Sequence, residues 1–194
     1  MGERILPASF YQRDPATVAR EILGMTLVRI LGSRKLTCRI AETEAYYGPE
    51  DPASRAHRHR RGRIVERLRG PPGVTLVYGI HRQWLLNIVA HPVPGWGAVL
   101  LRACEPLEGF SPGARLNGPG LLTRALHIDK SLDGVPVYSP ESPLRVEGGD
   151  PPLHARVCRD HRIGVSKDVP EKLRFCIKDS KYVSRPCRDC VHFK

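Results

Sequence analysis

Met25-Thr-Leu-Val-Arg-Ile-Leu-Gly-Ser-Arg-Lys-Leu-Thr-Cys-Arg-Ile-Ala-Glu-Thr-Glu-Ala-Tyr46 is the stretch whose reading decides the fold. Met25 to Leu31 has strand composition, Gly32-Ser33-Arg34 offers a short turn, and Leu36 to Tyr46 resumes an extended pattern, which predicts an antiparallel hairpin. In an extended chain alternate side chains share a face. Leu36, Cys38 and Ile40 are therefore expected on the same side as Glu42, Glu44 and Tyr46, so that a core-facing row ends in two acids and an aromatic ring. Carboxylates set beyond an apolar row need a partner or a task, because desolvation raises their pKa and costs stability. The plainer alternative is a strand that leaves the core and carries both acids into water. Gly48-Pro49 ends the strand.

Before this hairpin, Asp14-Pro15-Ala-Thr-Val-Ala-Arg-Glu-Ile-Leu-Gly24 has the punctuation of a helix: Asp14 as N-cap, Pro15 in the first turn and Gly24 as the stop. After it, Gly70-Pro71-Pro72-Gly73 forces a turn, and the apolar runs Val74 to Ile80 and Trp84 to Ala90 predict a second hairpin. Gly97 to Cys104 reads as a strand with Ala98, Leu100, Arg102 and Cys104 on one face. Arg102 in such a row calls for an anion, for which Glu42, Glu44 and a phosphate are the candidates. Asn117-Gly-Pro-Gly-Leu-Leu-Thr-Arg-Ala-Leu126 looks like a glycine-rich turn opening a helix, a geometry that offers free N–H groups to an anion. Leu144 to Glu147, Arg162 to Ser166 and Leu173 to Ile177 read as further strands.

The 194 residues fit one domain, and the excess of 31 Lys and Arg over 20 Asp and Glu leaves a formal charge of +11. That charge is concentrated: the segment 55–69 holds seven arginines, two histidines and one acid. A basic loop of this kind is the electrostatic footprint of a polyanion site, and nucleic acid is the first partner to consider. A solvated basic loop is the plain alternative. The sequence lacks a long apolar run and a signal-peptide pattern, so a cytoplasmic protein is expected, nucleoid-associated if bacterial, with no membrane partner. Six cysteines in that setting predict reduced thiols or metal ligands rather than a disulfide framework. Cys158-Arg-Asp-His161 and Cys187-Arg-Asp-Cys190 have spacings that suit tetrahedral zinc, with Cys176 and His192 nearby, so a structural zinc clip over 158–192 is one expectation.

Taken together, these blocks resemble the alkyladenine (3-methyladenine) DNA glycosylase family. The resemblance runs in order through Phe10-Tyr-Gln-Arg-Asp-Pro15, Ala19 to Gly24, Ile40-Ala-Glu-Thr-Glu-Ala-Tyr-Tyr-Gly-Pro-Glu-Asp-Pro-Ala-Ser54, Leu100 to Gly109, Asn117 to Leu126, Arg162-Ile-Gly-Val-Ser166 and Tyr182-Val-Ser-Arg-Pro186. It implies an α+β single domain over residues 1–194, with a curved, mainly antiparallel sheet flanked by helices. It further implies an enzyme of base excision repair that flips a damaged purine out of double-stranded DNA and hydrolyses its N-glycosidic bond without a cofactor, as a monomer. On this resemblance Glu44 is the general base for water and Arg102 its catalytic partner. Tyr46 and Tyr78 stack on the base, and Asn87 and Leu100 line the pocket. The family's pocket histidine is replaced by Arg55, with His57 two residues on. Arg58, Arg60, Arg61 and Arg63 are expected on DNA, and Ile80 or His81 fills the gap left by the flipped nucleotide unless a shifted alignment gives that role to Tyr78. The alternative function is a catalytically silent module that binds damaged DNA or RNA on the same scaffold.

Overall fold

The computed structural model describes residues 4–149 and 157–190. Two short helices, α1 (Ala8–Tyr11) and α2 (Pro15–Glu21), lead into β1 (Thr26–Leu31) and β2 (Arg34–Tyr46). Then come α3 (Arg55–Arg58), α4 (Arg63–Leu68), β3 (Thr75–Ile80), β4 (Gln83–Val89), β5 (Ala98–Glu108) and α5 (Pro119–Ala125). A 3-10 turn at Lys130–Leu132 precedes β6 (Leu144–Glu147), β7 (Val157–Asp160) and β8 (Arg174–Ile177). The strands form one curled antiparallel sheet in the order β3-β4-β5-β2-β1-β6, with β8 and its partner β7 attached to β2. The architecture is therefore α+β, mostly sheet, as expected.

The local reasons match the sequence punctuation. The Asp14 carboxylate accepts a 2.9 Å hydrogen bond from Thr17 N–H at the start of α2, which satisfies one of the helix's orphan donors. Gly32, with φ of 58°, makes the β1–β2 turn. Val18, Ala19, Ile22 and Leu23 pack with Leu36, Cys38 and Ile40 of β2 in the main core.

β2 departs from the predicted alternation in the place that matters most. Its register against β5 shifts between Ile40 and Glu42 and again between Glu42 and Thr43, a β-bulge, which adds a residue to one strand and re-aims the side chains beyond it. Ile40 and Ala45 both belong to the main core, and the Thr43 hydroxyl donates to the Ala19 carbonyl of α2 at 2.6 Å. Even-numbered residues face α2 before the bulge, and odd-numbered residues face it afterwards. Glu44 and Tyr46 consequently look out from the opposite side of the sheet, not from the end of the Leu36–Cys38–Ile40 row. β5 kinks in concert: Val99, Leu101 and Cys104 are core residues, while Leu100 and Arg102 line a cavity on the other face, so Arg102 and Cys104 do not share a row.

The bulge also divides the edge of β2. Residues up to Arg39 pair with β1, and Glu42 to Glu44 pair with β8.

Two further expectations change. The basic segment 55–69 is not a plain loop but α3 and α4, started by the Ser54 hydroxyl accepting from Ala56 N–H at 3.2 Å. Ala56 and Leu68 anchor it in a second apolar cluster with Leu76, Val89 and Ala98. Arg162 to Ser166 is not a strand, because Ile163 N–H donates to a carboxylate instead of a neighbouring backbone and Gly164 turns with φ of 77°.

The cysteines also depart from expectation. Antiparallel β7 and β8 set Cys158 opposite Cys176, and the following segment folds back so that Cys158 is bonded to Cys190 and Cys176 to Cys187. The expected zinc ligands Cys158, Cys187 and Cys190 are thereby used as disulfides. His161 lies beyond the end of β7 with Nδ1 3.8 Å from Asp168. Among the described residues no group of three or more His, Cys, Asp and Glu side chains is placed to hold a metal ion; His192 lies outside them. Cys38 and Cys104 are buried free thiols.

Candidate active site

The bulge and the kink of β5 bring three charged side chains together in the interior. Glu42 and Glu44 are fully buried and Arg102 is 6% exposed. Arg102 lies between the two acids, with Nε donating to Glu42 Oε1 and Nη1 to Glu44 Oε2, each at 3.2 Å. Buried charge of this density survives only where every lone pair is answered. Glu44 Oε1 accepts from Ile163 N–H at 2.7 Å, and its Oε2 accepts from the Tyr46 hydroxyl at 2.8 Å. Glu42 accepts from Arg174 Nη1 at 3.0 Å and from the amide and hydroxyl of Ser184 at 2.6 and 2.9 Å.

The two acids have different surroundings. Burial pushes the Glu44 carboxyl above the usual carboxylate range, and Arg102, the Ile163 amide and the Tyr46 hydroxyl only partly offset it. A buried carboxylate of raised basicity is chemically suited to take a proton. Glu42, enclosed by donors from three elements, is built to hold rather than to react.

A cavity of about 330 Å³ lies between β2, β3, β4 and β5; Tyr46, Arg102 and Ile163, the residues that hold Glu44, line it, and the fully buried Glu44 carboxylate sits behind them. The cavity volume is within the roughly 300–1,000 Å³ span of small-ligand sites. Tyr46 and Tyr78 supply its aromatic walls, Asn87 and Leu100 are buried in its lining, and Arg55 stands at its side. Asn87 Nδ2 is committed to the Leu76 carbonyl at 3.1 Å. The Arg55 guanidinium lies 5.5 Å from the Tyr78 ring centroid, a cation–π distance. Burial raises the Tyr78 hydroxyl pKa, against the charge and hydrogen bond of Arg55. Tyr46 is backed by Arg162, whose guanidinium carbon is 4.6 Å from the ring centroid. Arg162 in turn grips Asp51 with two 2.7 Å hydrogen bonds and donates through Nε to Asp168 at 2.9 Å. Burial works against the charge on Asp51, but the Arg162 hydrogen bonds and charge, with the Tyr47 and Ala53 amides, outweigh it and hold this acid below its usual range.

The remaining expected residues are distributed around the mouth. Ile80 and His81 line it at the tip of the β3–β4 hairpin, where His81 and Arg82 both have left-handed backbones, with φ of 47° and 64°. Arg58 lines the rim and donates to the Ser166 hydroxyl at 2.7 Å, and Arg60 and Arg61 are exposed. Arg63 is tied to Asp133 and the Val77 carbonyl. His57 is turned away, its Nδ1 2.7 Å from the Pro49 carbonyl, and does not line the cavity. The structure adds Ile163, Arg162 and Ser184, which the residue patterns did not single out. Their contributions are a backbone N–H, a side chain behind a ring and a turn far along the chain, and none of these carries a periodic signal.

Comparison with known proteins puts this fold and site in the class of DNA glycosylases. The family model described as methylpurine-DNA glycosylase matches residues 9–181. A relative from Aeropyrum pernix, named as a candidate 3-methyladenine DNA glycosylase, is 51% identical over 94% of this chain and 94% of its own length. Relatives of the same name from Herpetosiphon aurantiacus and Gloeobacter violaceus are 40% and 38% identical, each over 93% of this chain and 89% and 86% of their own. The chain belongs to the methylpurine-DNA glycosylase family.

Proposed function

We propose that the protein releases alkylated or deaminated purines, among them 3-methyladenine, hypoxanthine and ethenoadenine, from double-stranded DNA. Such a base is out of reach inside the duplex, so the nucleotide is turned out into the cavity, with His81 or Ile80 at the hairpin tip filling the vacated stack. The flat base stacks against Tyr46 and Tyr78, which brings its sugar toward Glu44. Glu44 takes a proton from water as the water oxygen bonds to C1′ of the sugar. The C1′–N bond breaks with its electron pair leaving on the base, which picks up a proton, and an abasic site remains. Arg102 holds Glu44 in place and compensates its charge. The single observation that carries the reading is the fully buried Glu44 carboxylate held by Tyr46, Arg102 and Ile163, three residues that line the cavity.

The test is a duplex carrying one hypoxanthine or ethenoadenine, incubated with the protein and resolved before and after alkali. Strand cleavage only after alkali is the expected result. Direct cleavage would make the protein a nuclease, and a retarded band with no cleavage would make it a silent binding module; either outcome overturns the proposal.

A further inference from the structure

Glu42 sits two residues before Glu44 on β2, and its carboxylate is occupied by donors on every side. Arg102 reaches it from β5, Arg174 from β8, and Ser184 from the segment after β8 through both its amide and its hydroxyl. That segment is tied down twice more. The Arg185 carbonyl accepts from Arg174 Nη1 at 2.9 Å, and the Cys176–Cys187 disulfide closes the loop in which Ser184 lies. We infer that Ser184 is a positioning residue: by fixing the Glu42 carboxylate it sets the Arg102 guanidinium against Glu44.

The chemistry behind this is geometric. Arg102 spans both acids with adjacent nitrogens of one rigid plane, so a rotation of Glu42 changes the distance between Arg102 and Glu44. The charged and titratable groups around Glu44 are Arg102 from β5, Glu42 and Tyr46 from β2, Tyr78 from β3, Arg174 from β8 and Arg162 from the loop that delivers Ile163. Among the opposing influences on Glu44, the charge of Arg102 is the largest that favours its ionised form. The charge of Glu42 itself disfavours ionised Glu44, but less than Arg102 favours it, so loosening Glu42 and with it Arg102 weakens the hold on ionised Glu44, and its titration moves to higher pH.

The inference rests on the glycosylase reading for its kinetic test only, so two readouts are used. The first is the acid limb of the single-turnover rate of hypoxanthine release. The second is the titration of the Glu44 carboxyl carbon by ¹³C NMR, which needs no activity. Ser184→Ala should slow release on the order of tenfold, as expected for losing one hydrogen bond to a charged group, and move both titrations to higher pH. Ser184→Thr, which keeps the hydroxyl, should stay near wild type. Cys176→Ser with Cys187→Ser frees the segment while keeping Ser184, and should move both titrations in the same direction. Unmoved titrations in Ser184→Ala and in the cysteine variant would overturn the inference, as would lowered thermal stability with no change in either titration, or a threonine variant as impaired as alanine. A wild type that releases no base while its Glu44 titration responds to Ser184→Ala would leave the positioning role intact and refute the glycosylase reading.

Discussion

At the level of single residues, Glu44 and Arg55 carry the sharpest consequences. Glu44→Gln preserves shape but removes the proposed base, so single-turnover release should fall by at least about 100-fold, the lower end of general-base contributions. Binding of damaged duplex, followed by fluorescence anisotropy, should stay within a few-fold of wild type. Glu42→Gln should slow turnover less, because Glu42 acts through Arg102. In the proposed mechanism the working form of Glu44 is the carboxylate, and burial raises its pKa. The rate should therefore rise with pH through an apparent pKa above the ordinary carboxylate range and be lost below it, as a pH series of single-turnover rates would reveal. Arg55 poses a question of lesion choice. A guanidinium always carries charge and only donates hydrogen bonds, whereas an imidazole can be neutral and accept one. With Arg55 at the cavity wall, neutral bases that present an acceptor, such as hypoxanthine, should be favoured over cationic 7-methylguanine. Arg55→His should raise the 7-methylguanine-to-hypoxanthine ratio of single-turnover rates. An unchanged or lower ratio would assign Arg55 to phosphate or to its stacking on Tyr78.

Among the elements, the β3–β4 hairpin stands out for its turn. His81 and Arg82 occupy left-handed conformations in succession, which cost roughly 1–2 kcal/mol for each ordinary L-residue. His81→Asn with Arg82→Gly should raise the unfolding free energy by about 1–2 kcal/mol in denaturant titrations, and weaken binding to damaged duplex by removing the side chains presented at the tip. Both hairpins were legible in the sequence, because Gly32 and the apolar runs on either side of residues 81–83 mark turn and strand locally. The α2 cap was legible for the same reason. The bulge in β2 was not: parity looks intact along Ile40-Ala-Glu-Thr-Glu44, and only the pairing with β5 and β8 reveals the slipped residue. Glu44 and Arg102 could be chosen as candidates, but their neighbours could not be derived from that alternation. Arg162 and Ile163 escaped for a related reason, since a loop that binds through its backbone resembles a short apolar strand. The disulfide pairing depends on which strands meet, and cysteine spacing alone does not contain that information.

For the whole molecule, charge and chain order matter most. The net charge of +11 should make DNA affinity steeply salt-dependent. Arg60 and Arg61 are exposed, whereas Arg63 is engaged with Asp133. Replacing Arg60 and Arg61 with alanine should weaken damaged and undamaged duplex alike and flatten the slope of log affinity against log salt by about 0.9 for each phosphate no longer neutralised. An unchanged slope would put the duplex on another surface. The edge of β2, divided between an early partner and a late one, has a consequence for synthesis. Glu42 is made 132 residues before Arg174 and 142 before Ser184, and Glu44 is made 119 residues before Ile163. At roughly 5–20 residues per second, a ribosome finishes those partners on the order of ten seconds after the acids emerge. β1 and β2 can close as a hairpin in that interval, but the acids still lack the donors that β8 and its flanking segments will bring. A half-made chain carries this carboxyl without its setting, so the capacity to strip bases from the genome should arrive only once the segment from Ile163 to Ser184 has been made.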